Sequence, residues 1–183
     1  HKFYSNFLNF GHGSNSKLIK DSRKKILLLP QGTIKEVKDI CELAFLMNFD
    51  QLEIILRLHP ALINNKKIKN LIENLKNASS IKNLIRVSND NLRNDIIKSE
   101  YFLYRGSTSA IEAASFGLTP IYCVSQDIFN SELNSLDGIS LPRDLKVRNS
   151  KELVNLLKKR TKFDISHIIK EIYSIPISFK SLI

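Results

Sequence analysis

Much of the chain's capacity for chemistry lies in one segment: Arg105-Gly106-Ser107-Thr108-Ser109-Ala110-Ile111-Glu112-Ala113-Ala114. Ahead of it, Tyr101 to Tyr104 has the length and composition of a short strand. Behind it, Ala110 to Phe116 reads as a helix that Gly117 closes in the C′ role. A strand, then glycine and hydroxyls, then a helix start is an anion site in outline. Unpaired N–H groups and the positive end of the helix dipole converge there, and glycine lets a phosphate approach the backbone. Arg105 offers a planar fork for phosphate oxygens. Ser107, Thr108 and Ser109 add uncharged donors, and Glu112, one turn further on, is placed to accept hydrogen bonds from ribose hydroxyls. The plainer alternative is that Ser107 or Thr108 only caps the helix while Glu112 faces water. The coincidence of Arg, Gly and three hydroxyls at the end of an inner strand favours a ligand.

Two further segments are predicted to reach the same edge. In Arg57-Leu58-His59-Pro60 the proline denies a helical continuation and fixes the turn, so His59 is presented where an apolar strand ends. Its imidazole could donate a hydrogen bond to a phosphate or a pyrimidine. In Pro30-Gln31-Gly32-Thr33, Gly32 permits close approach in a strand-to-helix turn. Ser88 opens another loop of the same kind.

The elements that must position these residues alternate from Lys25 onward. Ile26 to Leu29 is a continuous apolar run, as expected of a strand covered on both faces of a parallel sheet. Val37, Ile40, Cys41, Ala44 and Phe45 mark one face of a helix ending near Asn48. Leu52 to Leu58 is the second strand; Ile68, Leu71, Ile72 and Leu75 form the next helical stripe, and Asn83 to Val87 the third strand. A short helix over Asn91 to Lys98 precedes the strand at Tyr101, and Ile121 to Val124 is the strand after Gly117. Beyond Ser125 the pattern weakens to a strand at Gly138 to Leu141, a helix over Lys151 to Lys159 capped by Ser150, and a helical tail from Phe163. Strict alternation forces parallel pairing with right-handed crossovers, hence a doubly wound, Rossmann-like α/β sheet with ligands at the carboxyl ends of its strands. The organisation expected is a connector over 1–24, one domain over 25–160, and a C-terminal helix and tail over 161–183.

A length of 183 residues suits one domain, and the start at His1 without a signal-peptide pattern suggests a piece of a longer protein. Every apolar run is interrupted well short of the roughly 20 residues a membrane span needs. Cys41 and Cys123 have no partner Cys or His at metal-ligand spacing and read as core residues in a reducing cytosol. The formal charge of +10 favours phosphates or an anionic membrane surface, but the basic residues are scattered and carry no nucleic-acid motif. No P-loop lysine, Gly-x-Gly-x-x-Gly, Asp-x-Asp, His-Glu-x-x-His or Gly-x-Ser-x-Gly occurs, so neither a metal nor a bound cofactor is expected.

The His-Pro after one strand, paired with a Gly-Ser-Thr-Ser…Glu-Ala loop two strands later, resembles the C-terminal domain of GT-B glycosyltransferases of bacterial surface polysaccharide synthesis. The resemblance runs from Lys25 to Val124 and points to the CDP-glycerol glycerophosphotransferase, capsule-synthesis and bacterial sialyltransferase families. It implies that His59 with Ser107 and Thr108, and Ser109 beside them, holds the donor nucleotide's phosphate, and that Glu112 binds ribose. It further implies a metal-independent transferase, a nucleotide-sugar donor, and an N-terminal domain preceding this one. The expected location is cytoplasmic or peripheral at the inner face of the cell membrane. The acidic pair before a glycine that sialyltransferases use has no counterpart here, so no catalytic base is assigned. A nucleotide-sugar 2-epimerase or a non-catalytic nucleotide-binding module would share the fold and the phosphate loop.

Overall fold

The computed structural model describes residues 24–124 and 134–174. The expected connector over 1–24 lies almost wholly outside them, as do the segment after Val124 and the end of the tail. Six strands, β1 (Lys24–Leu29), β2 (Leu52–Leu56), β3 (Ile85–Val87), β4 (Tyr101–Tyr104), β5 (Thr119–Cys123) and β6 (Lys146–Val147), pair in the order β3-β2-β1-β4-β5-β6, every pair parallel. The fold is a doubly wound, Rossmann-like α/β sheet. From β1 the chain winds outward through β2 to β3, then returns past β1 to β4. The topological switch therefore falls between β1 and β4, where the loops beginning at Pro30 and Arg105 leave the sheet in opposite directions.

The central strands read as apolar runs because they bury both faces. Ile26 and Leu28, Ile54 and Leu56, Leu103, and Ile121 pack with helices α1 (Ile34–Phe45), α2 (Lys66–Ala78) and α5 (Ser150–Lys159). Leu27 and Leu29, Ile55, Phe102 and Tyr104, and Tyr122 pack with α3 (Leu92–Ile97), α4 (Ser109–Ser115) and α6 (Ser166–Ser174). Alternate residues of one strand thus serve two cores. Small side chains, Ala110, Ala113 and Ala114, bring α4 close against the second face. Cys41 and Cys123 are buried free thiols, one in α1 and one at the end of β5. No helix among the described residues is long and apolar enough to cross a membrane.

Several boundaries differ from the sequence expectation. Gly138 to Leu141 forms no strand; Leu141 and the partly buried Ile139 pack onto the second face from a loop, and Gly138 takes a φ of 89°. The last strand is Lys146–Val147 instead, two residues long, pairing only with Tyr122 and Cys123. Asn149, not Ser150, caps α5, accepting from the Glu152 N–H at 3.0 Å, while the Ser150 hydroxyl donates to the Leu43 carbonyl at 2.8 Å. The second strand stops at Leu56, and a 3₁₀ turn over Lys82–Leu84 precedes β3.

Gly117 sits at φ 81°, just after α4, and its N–H donates to the Ala114 carbonyl at 3.0 Å. A Cβ there would lie 3.2 Å from Asp164 Oδ2 as well as occupying the left-handed region. Gly117→Ala is expected to cost about 1–2 kcal/mol, read as a shift of the urea midpoint at unchanged slope.

Candidate functional site

The site is built from the loops that leave β1, β2, β3 and β4 at their carboxyl ends. After β1, Thr33 caps α1 with its Oγ1 accepting from the Glu36 N–H at 3.3 Å. Gly32 just before it lies against an imidazole: a Cβ on Gly32 would come within 3.3 Å of His59 Nδ1 and 3.4 Å of its Cγ. His59, after β2, is exposed. Its Nδ1 accepts from the Ala61 N–H at 3.2 Å, at the head of a 3₁₀ turn begun by Pro60. An Nδ1 used as acceptor assigns the neutral ring's hydrogen to Nε2, leaving an N–H donor for a ligand. Because β1 stands between β2 and β4, contact with Gly32 means that His59 leans toward the switch point.

The serine loop follows β4. Thr108 occupies the cap position of α4 in a helical conformation (φ −65°, ψ −22°) and makes no side-chain cap bond. Among the described residues, no hydrogen bond engages the hydroxyls of Ser107, Thr108 or Ser109, so the helix-capping alternative does not account for them. The first turn is closed by backbone bonds alone, from Ala110 N–H to the Ser107 carbonyl and Ile111 N–H to the Thr108 carbonyl, both at 3.1 Å. Ser107 and Ser109 are half-buried and Thr108 is exposed.

The start of this loop is held from α1. Gly106 donates its N–H to Glu36 Oε1 at 3.4 Å, and Glu36 is only 3% exposed. Arg105 does not extend a free fork. Its Nε donates to the Cys123 carbonyl at 3.1 Å, one terminal nitrogen to Asp39 Oδ2 at 3.3 Å, and the other faces Cys123 Sγ at 3.6 Å. Arg105 is 3% exposed, and its guanidinium braces β4 against β5 and α1. Beyond this brace a cleft of about 610 Å³ opens along α1, lined by Lys35, Asp39, Arg105, Cys123 and Arg148 among others; of the donor-binding residues expected from the sequence, it contains only Arg105.

Arg57 and Ser88 are likewise tied to one residue that the sequence reading did not single out. Asp95, on α3 and fully buried, accepts from Ser88 Oγ at 2.6 Å and Arg57 Nη1 at 3.1 Å, with an Arg86 nitrogen at 3.6 Å from its other oxygen. Arg57 also donates to the Asp90 carbonyl at 2.6 Å. Glu112 on α4 is half-buried, and burial pushes its carboxyl above the ordinary carboxylate range, with the charges of Arg57 and Arg93 pulling it part of the way back. Arg57, bonded to Asp95, thus also acts through its charge on Glu112 in the first turn of α4. Gln31 is half-buried between β1 and Gly32, with no side-chain hydrogen bond among the described residues.

Glu36, Asp39 and Asp95 organise the site. One local signal was present for Glu36: Thr33-Ile34-Lys35-Glu36 has the spacing of a capping box. Half of that box forms, but the carboxylate crosses to Gly106 instead of returning to the cap. Asp39 and Asp95 each reach an arginine 66 and 38 residues away in sequence, a pairing that nothing local marks.

No family model matches the chain, and no curated protein matches its sequence. Among solved structures, it resembles the catalytic domain of cholesterol-alpha-glucosyltransferase from Helicobacter pylori, with a TM-score of 0.51 over 82% of this chain and 96% of that one. The fold is that of a GT-B half-domain. Identity between the two chains is 16%, so the likeness is one of fold. Within this half-domain the switch point, between β1 and β4, carries Gly32, Glu36 and the serine loop, with His59 leaning in from β2.

The raised carboxyl of Glu112 gives a pH signature. A folded-state value above the unfolded one adds stability below the unfolded range, and that stability is lost as pH rises through the folded value. At neutral pH the charged, half-buried carboxylate is therefore a cost, which Glu112→Gln removes. The variant is expected to melt above wild type at pH 7, with the gap closing as the pH falls to about 4. Thermal scans across that range check this; a gap independent of pH would contradict it.

Proposed function

We propose that this domain binds the nucleotide-activated donor of a GT-B glycosyltransferase, one that transfers a sugar or polyol phosphate in bacterial surface polysaccharide or capsule synthesis. The observation that carries the reading is the closeness of the His59 imidazole to Gly32, at the same strand edge as a serine loop whose hydroxyls have no hydrogen-bond partner among the described residues. Transfer from such a donor leaves growing negative charge on the departing phosphate, and preorganised donors stabilise it. His59 Nε2–H, the hydroxyls of Ser107, Thr108 and Ser109 and the amides between them supply donors of that kind without a metal. The acceptor oxygens of Glu112 suit ribose hydroxyls.

The geometry refines the roles expected from sequence. Arg105, Arg57 and Ser88 act in this reading as supports: their polar atoms are engaged by Cys123 and Asp39 in one case and by Asp95 in the other two. Gln31 and Gly32 flank the donor pocket, Gly32 by leaving room for the imidazole. A second, N-terminal domain would close over this edge and supply the acceptor site and the catalytic base. The location that fits is the cytoplasm or the inner membrane face, where such donors are found.

Calorimetric titration with CMP, CDP, UDP and GDP tests the proposal. One of the diphosphates is expected to bind, and His59→Ala to weaken it by about tenfold, the loss of one hydrogen bond to a charged group. No binding by any of the four, with wild type and His59→Ala indistinguishable, would sink it. Incubating the full-length protein with a nucleotide sugar and no acceptor separates the transferase from an epimerase, since only an epimerase converts the donor alone.

A further inference from the structure

We propose that Glu36 is a positioning residue for the donor-phosphate site: its buried carboxylate, by holding the Gly106 amide, fixes the conformation in which Ser107, Thr108 and Ser109 meet the ligand. The inference rests on the donor-site reading above and assigns a role to a side chain outside the phosphate-binding set.

Carboxylates are almost never fully buried without a partner. Glu36 is 3% exposed, and the Gly106 N–H at 3.4 Å is a donor it faces. The residue had a local alternative. With Thr33 at the cap and Glu36 three positions on, the carboxylate could have closed the capping box on its own helix, yet only the threonine arm of that box is made. One turn along α1, Asp39 lies on the same face and takes the guanidinium of Arg105 at 3.3 Å. Two consecutive residues at the end of β4 are thus gripped by two acids of a single helix, one through its side chain and one through its backbone. The chain released from that grip is the serine loop.

This arrangement makes a specific demand of the ligand. The Gly106 amide is already used, so a phosphate must be received by the positions that follow it. The contribution of Glu36 is geometric, that of an oxygen acceptor at a fixed place, and its negative charge close to a phosphate is of no benefit. Glutamine retains the acceptor oxygen and discards the charge, whereas alanine discards both.

The test uses the whole chain as wild type, Glu36→Gln and Glu36→Ala, titrated with CDP and with inorganic pyrophosphate, alongside amide hydrogen exchange at Gly106. Glu36→Ala is expected to lose about tenfold in affinity together with protection of the Gly106 amide. Glu36→Gln should keep both, binding the probes as tightly as wild type or more so. Should Glu36→Ala fail to fold, Glu36→Asp replaces it, since its shorter reach also loses the contact. Wild-type affinity and exchange in Glu36→Ala would overturn the assignment, as would a glutamine variant that falls as far as the alanine one. If wild type itself binds neither probe, the donor-site reading fails with it, whereas exchange at Gly106 still reports whether the grip exists.

Discussion

A carboxylate shut away from water must find hydrogen-bond donors or it destabilises the fold, and in this protein that requirement joins the two halves of the sheet. Glu36 stands on the helix that follows β1, and the amide it meets stands at the exit of β4. Between these strands the winding of the chain reverses, so no short connection ties one loop to the other. The tie is made by side chains: Glu36 to Gly106, Asp39 to Arg105, and Arg105 onward to the carbonyl of Cys123. His59 joins from the other side by resting on Gly32. The loops leaving β1, β4 and β5 are thereby tied into one rim, with the His59 imidazole of the β2 loop beside it.

A second anchor holds the outer part of the rim. Asp95 gathers Ser88, Arg57 and Arg86 from the loops and strands on the β3 side. Arg57 then faces two ways, bonded to Asp95 and exerting its charge on Glu112 across the crevice. Burial raises the carboxyl of Glu112, and the charges of Arg57 and Arg93 offset part of that rise. Arg93, close enough to influence it, lies over the ring of Phe116 at 5.8 Å.

The sheet was legible in the sequence because each central strand is buried on two faces, and such strands appear as unbroken apolar runs. Ile26 to Leu29 and Tyr101 to Tyr104 announce themselves in this way. Lys146–Val147 does not: it contributes one buried side chain and exists through its backbone pairing with Tyr122 and Cys123. Ile139 and Leu141 imitated a strand because alternation is equally compatible with a loop lying on an apolar face. At the site, features with local causes could be read directly, namely the turn made by His59 and Pro60 and the glycine and hydroxyls ahead of α4. The brace was not legible. Arg105 looks the same in sequence whether it projects toward a ligand or folds back onto Asp39, and a contact between positions 36 and 106 has no local trace.

Parallel sheets with open margins invite addition of a foreign strand. Here the margin beside β5 is treated unequally along its length. Among the described residues, β6 pairs only with Tyr122 and Cys123, leaving the first half of β5 without a paired strand on that side. The N–H of Thr119 points inward to the carbonyl of Glu100, so by the alternation of a strand the next residue's nitrogen faces the uncovered side. That residue is Pro120, which has no hydrogen to offer. The imino acid stands, itself buried, in the part of β5 that β6 leaves unpaired, and it gives that part no N–H with which to receive a further strand.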